Sequence, residues 1–115
     1  MELEKILDVI ETGANTRGRF SDFHGHYCAV GSLAVAAGLK PYQADSAGEA
    51  YGTTPYVMAN AAGVNDRFAL TKSRRLALRE YFTRVSEGGE AMKVASDIKW
   101  RHPRDARAYI PRKEA

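Results

Sequence analysis

The chain has 115 residues, 44% of them hydrophobic, with a formal charge of +3, which is enough for one core without covalent staples. One cysteine excludes an internal disulfide framework, and no apolar run approaches the roughly 20 residues that cross a bilayer. With no leader pattern after Met1, the expectation is a cytoplasmic protein with no membrane partner.

The charge is unevenly placed. Residues 1–71 carry 5 basic and 8 acidic side chains, and residues 72–115 carry 12 basic and 6 acidic. An acidic partner would meet the C-terminal half first.

Leu3, Ile6, Leu7 and Ile10 recur at helical spacing and predict a helix ended near Gly13. The next stretch is rich in glycine and turn formers, and Arg19–Ser21 and His26–Tyr27 read as a small hairpin around Asp22–Gly25. From Cys28 a helix of very small residues runs to Ala37 and stops at Gly38. Its Gly31 costs about 1 kcal/mol in helix propensity, which predicts burial against a large side chain or a neighbouring helix. Residues 39–53 read as loop with one helical turn around Ala44–Ala50. Thr54 and Pro55 then signal a helix start, and Gly63 its stop.

Thr71 reads as the cap of a further helix that buries Leu78, Tyr81, Phe82 and Val85, points its basic residues elsewhere and ends at Gly88-Gly89. Ala91, Val94, Ala95 and Ile98 define the last helix, closed by Trp100 and His102 before Pro103. The expected architecture is mainly α: one compact domain of about five short helices over residues 1–102, with the small hairpin before the Cys28 helix. Residues 103–115 are expected to form a basic C-terminal tail with Tyr109 and Ile110 docking back.

Cys28-Ala-Val-Gly-Ser-Leu33, preceded by Asp22-x-x-Gly25 and followed by Gly63-Val-Asn-Asp66, resembles a small uncharacterised family of phages and high-GC bacteria. Members of that family share a Cys-Ala-x-Gly-Ala-Leu helix start after a short hairpin, and a later Asn-Asp before a basic amphipathic helix. Ser32 replaces the second small residue of the pattern. The resemblance implies a phage-type accessory protein of unassigned activity and carries over no catalytic residue.

Three constellations are candidates for chemistry. A cysteine at a helix N-terminus gains thiolate character, and His24 or His26 would add to it, making Cys28 a candidate nucleophile. The competing reading is a small buried hydrophobe. His24, His26 and Cys28 alternate with period two, so a strand would aim all three to one side as zinc ligands; the fourth ligand is missing, with only His102, Asp22 or water to complete the set. Arg74, Arg75 and Arg79, with Lys72, Arg84, Lys99, Arg101, Arg104, Arg107, Arg112 and Lys113 and the interleaved Trp100 and Tyr109, have the ingredients of a phosphate-contacting surface.

No paired catalytic acids, phosphate loop or complete metal set is legible, and no cofactor is implied. The preferred expectation is therefore binding to a host protein. Tyr51, Tyr56, Phe68, Trp100 and Tyr109 lie in or beside irregular segments and stand as candidate interface anchors, with Trp100 and Tyr109 foremost. Nucleic-acid binding by the basic half is the second expectation, and a Cys28-dependent enzyme, small-ligand or metal site the third.

Overall fold

The computed structural model describes residues 1–112, apart from the side chains of Ala44 and Asp45; Lys113, counted above with the basic half, lies outside the described residues. Six helices follow one another: α1 (Leu3–Thr12), α2 (Ala29–Ala36), α3 (Ala44–Ala50), α4 (Pro55–Arg67), α5 (Thr71–Ser86) and α6 (Ala91–Arg101). The fold is mainly α. Helix α4 lies at its centre, against α2, α3, α5 and α6, while α1 covers α2 and α5.

Local sequence sets most of these helices. Ile6 and Ile10 are buried on one face of α1. Thr54 accepts the amide of Val57 at 3.2 Å and Pro55 occupies the first turn of α4. Glu90 caps α6 by accepting the amide of Lys93 at 2.9 Å, which satisfies one of the donors a helix start leaves open. The core is continuous across the elements, with Leu33, Met58, Val64, Phe68, Leu78 and Ile98 essentially inaccessible to solvent. Buried tyrosines tie the helices by their hydroxyls: Tyr51 donates to the Leu33 carbonyl at 2.8 Å, and Tyr81 to the Val57 carbonyl at 2.6 Å.

Several expectations are corrected. Helix α4 does not stop at Gly63 but continues to Arg67, because Val64 and Asn65 in the added turn are fully buried. Their packing outweighs the roughly 1 kcal/mol propensity cost of a helical glycine. Thr71 is the first residue of α5 rather than its cap; the cap position is Leu70, and the Thr71 hydroxyl accepts from Arg74 Nη2 at 2.9 Å instead. The single turn expected around Ala44–Ala50 is the seven-residue helix α3.

The hairpin is reduced to one antiparallel bridge, Ser21 with Tyr27. The ladder cannot grow past Cys28, where α2 begins, and groups on the turn and on Tyr27 pair elsewhere. The Asp22 carboxylate takes the amides of His24 and His26 at 2.8 and 3.1 Å, and the Tyr27 carbonyl accepts the amides of Asn15 and Thr16 at 2.8 and 3.2 Å.

The segment after Pro103 packs on the body. Ala106 is buried and pairs in parallel with Phe68, and the Ser73 hydroxyl donates to the Arg107 carbonyl at 2.6 Å. The Tyr109 ring stacks on His102 at 5.6 Å. Tyr109 docks as expected, whereas Ile110 stays half exposed.

Candidate functional site

Cys28 carries the third of the sequence's expectations. Its thiol caps α2, with Sγ accepting the amide of Gly31 at 3.3 Å, and the residue is 4% exposed. Burial pushes the thiol above its ordinary pKa, against the opposing pull of the Gly31 and Val30 amides. Desolvation therefore outweighs the helix terminus, and Cys28 is held as the thiol. We expect a thiol reagent to label it slowly in the native chain and rapidly after denaturation, and fast native labelling below neutral pH would reverse that assignment.

The neighbouring histidines do not join Cys28. His24 and His26 are exposed on the turn, and His26 Nδ1 lies 2.6 Å from an Asp22 carboxylate oxygen. Packing of the turn would raise the Asp22 pKa, but the hydrogen bonds from His24 and His26 more than offset this and bring it down to about 2. His102 is buried elsewhere, between the Ile98 carbonyl at Nδ1 (2.6 Å) and the Ile110 amide at Nε2 (2.8 Å). The Nδ1–H tautomer satisfies both contacts, so His102 is committed to docking the C-terminal segment. Among the described residues, no three His, Cys, Asp or Glu side chains gather to hold a metal ion.

The basic half is divided: Arg74 is buried, Arg75, Arg84, Lys99 and Arg101 are half-buried, and Lys72, Arg79, Lys93, Arg104, Arg107 and Arg112 are exposed. Arg74 does not face solvent: it is 4% exposed and donates to the carbonyls of Ala14 (2.8 Å), Phe68 (3.0 Å) and Ala69 (2.9 Å) as well as to Thr71. Its fork geometry explains the placement, since one planar guanidinium reaches four acceptors in two distant stretches, Ala14 and residues 68–71, at once. Arg75 donates to the Gly13 carbonyl and to Asn15 Oδ1. Arg79 alone of the three is exposed.

Arg84 and Arg101 are bound to Glu80 and Asp97, and the Tyr109 hydroxyl also donates to Glu80. Burial would raise Glu80, yet the hydrogen bonds from Arg101, Tyr109 and Arg84 leave it below its ordinary pKa. This network clamps α5, α6 and the C-terminal segment together. Tyr51 and Phe68, offered as interface anchors, are core residues. Tyr56 is half exposed and donates to Glu90. Trp100 remains 80% exposed, with the Arg67 guanidinium 5.6 Å from its ring centroid.

A cleft of about 590 Å³ has Cys28 as the one lining residue that the sequence offered as a candidate. Phe20, Phe23, Pro41 and Tyr42 line it, together with Cys28 and Asp66. Phe20 is 41%, Tyr42 66% and Phe23 93% exposed. Asn65 and Asp66 of α4 hold its walls. Asn65 Oδ1 accepts the amide of Ala29 at 3.3 Å, and Nδ2 donates to the Thr16 carbonyl at 3.1 Å and to Asp66. Asp66 also accepts the amide of Gly18 at 2.9 Å. The start of α2 and the loop before it are thus fastened to one helix end.

Phe23 occupies the turn in a left-handed conformation, φ +63°, which costs a non-glycine residue of order 1 kcal/mol or more. Its amide donates to Ser21 Oγ at 3.0 Å, and the Asp22 carboxylate takes the next free amide, His24. The turn presents Phe23 from both sides. The one sequence sign of this is Asp22-x-x-Gly25, a turn signature that fixes where the chain reverses but not whether Phe23 points inward.

Comparisons with protein-family models, with curated proteins and with solved structures find no match for this chain.

Proposed function

We propose that the chain acts by binding a segment of another protein in the aromatic cleft, with Phe23 as the principal anchor and Tyr42 as a second. The observation that carries this reading is the presentation of Phe23: an aromatic ring 93% exposed, on a residue held at φ +63° by side-chain hydrogen bonds in the turn. Strain at an exposed aromatic contributes nothing to the core and is the kind of feature found at binding surfaces. The cleft is within the size range that seats a few side chains. Exposed Arg19 and the Asp66 carboxylate supply polar groups at its edge. Tyr109 is spent on His102 and Glu80 and leaves the set of anchors.

Panning displayed random peptides against the purified chain tests this. Peptides with an apolar anchor should be enriched, and Phe23→Ala or Tyr42→Ala should weaken them about tenfold or more, roughly 1.4 kcal/mol. Trp100→Ala should leave their binding unchanged. Removal of a ring this exposed should not lower thermal stability, so loss of fold would not mimic the result. The reading fails if no peptide is enriched, or if the enriched peptides bind the Phe23→Ala chain equally well.

A further inference from the structure

A second surface differs in kind. Between α1 and α5 runs a groove of about 660 Å³, lined by Leu7 and Glu11 on the α1 side and by Lys72, Arg75, Leu76 and Arg79 on the α5 side. Leu76 is 40% exposed. Glu4, exposed two turns before Glu11 on the same stripe of α1, extends the acidic side, whereas Asp8 lines a separate hollow with Val9 and Thr12. None of Glu4, Glu11, Lys72, Arg75 and Arg79 takes part in the ion pairs of the described residues. Arg75 is nevertheless fixed in place, because Nε and one Nη are held by Gly13 and Asn15 at the end of α1.

An anionic partner laid in this groove would meet the acidic wall, and a cationic one the basic wall. Only an occupant carrying both walls in the same arrangement satisfies each. We propose that the occupant is a second copy of this chain, related by a twofold axis running along the groove. That rotation exchanges left and right across the groove, so α1 of each copy lies over α5 of the other and the Leu7 and Leu76 side chains meet between them. The contact is isologous, and every acid-to-base pairing occurs twice. Helices of 10 and 16 residues are about 15 and 24 Å long. Side by side they offer a face on the order of 400 Å² per copy, below that of a standard interface, so the dimer is weak and salt-sensitive.

Sedimentation equilibrium of the purified chain over a range from about 10 µM to 1 mM reads this directly. A monomer–dimer equilibrium is expected at low salt, weakened about tenfold or more at roughly 0.5 M salt. Arg79→Glu alone and Glu11→Arg alone should each give a monomer, because each places like charges across the groove twice. Mixed in equal amounts, the two variants should associate, since position 11 of each then faces an opposite charge at position 79 of the other. Both sites are exposed, and unchanged circular dichroism and melting would confirm that the variants fold. A wild-type chain that stays monomeric throughout, a dimer indifferent to salt and to both reversals, or a mixture that fails to associate would each overturn the proposal. So would a monomer that binds duplex DNA in a salt-sensitive way through Arg79. Phe23→Ala should leave the dimer intact, which separates this result from that of the peptide experiment.

Discussion

Replacing Arg74 by methionine should cost about 3 kcal/mol or more of folding stability, read from urea denaturation with an unchanged m value. Methionine fills much of the same volume, so the loss reports the hydrogen bonds rather than a cavity. The carbonyls of Ala14 and Phe68 would be left buried without a donor, each at about 1–3 kcal/mol. Relief from burying a cation offsets part of this. Burial is the leading pressure on Arg74, lowering its pKa, and the nearby Arg17 adds to it; guanidinium remains charged all the same. The bond to Ala14 also supports a residue held at φ +62°. Arg74→Lys should recover little, because one ammonium cannot span the acceptors of Ala14 and of residues 68–71 together. A loss under about 1 kcal/mol would show that these bonds contribute little. The phosphate-contact reading forecasts the opposite pattern, unchanged stability and a flatter salt dependence of nucleic-acid affinity.

Gly31→Leu should cost about 3 kcal/mol and remove binding at the aromatic cleft in the same step. A Cβ at Gly31 would lie 2.3 Å from the Phe20 carbonyl oxygen. The expectation of burial is correct, but the neighbour is the backbone of the Phe20 loop rather than a large side chain or a helix. Backbone cannot swing aside as a side chain can. The same carbonyl accepts the amide of Cys28 at 3.3 Å, so pushing it away loosens the start of α2 and the cleft wall together. Gly31→Ala decides the sign. Helix propensity alone would stabilise it by about 1 kcal/mol, whereas the contact predicts a lower melting temperature. A more stable Gly31→Ala chain would remove the basis for both expectations.

What the sequence determined by itself was whatever depends on residues within a turn or so of one another. The Thr54-Pro55 start, the Cys28 start of α2, the buried stripes of α1 and α6, and Gly38, at φ +81°, could be read because capping and periodicity are short-range. The helical class followed from them. Residues whose partners lie far along the chain could not be read this way. Arg74 looked like one more solvated base on an amphipathic helix, and only the arrival of Ala14, 60 positions away, turned it into a buried clamp. Gly63 looked like a stop until Asn65 found Ala29 and Thr16. The aromatics sorted themselves by the same rule. Tyr51 and Phe68 were drawn inside, while Phe20, Phe23 and Tyr42 were left exposed and lining one cleft. Ring hydrophobicity is identical in both sets, and what separates them is which backbone the tertiary packing placed beside each ring.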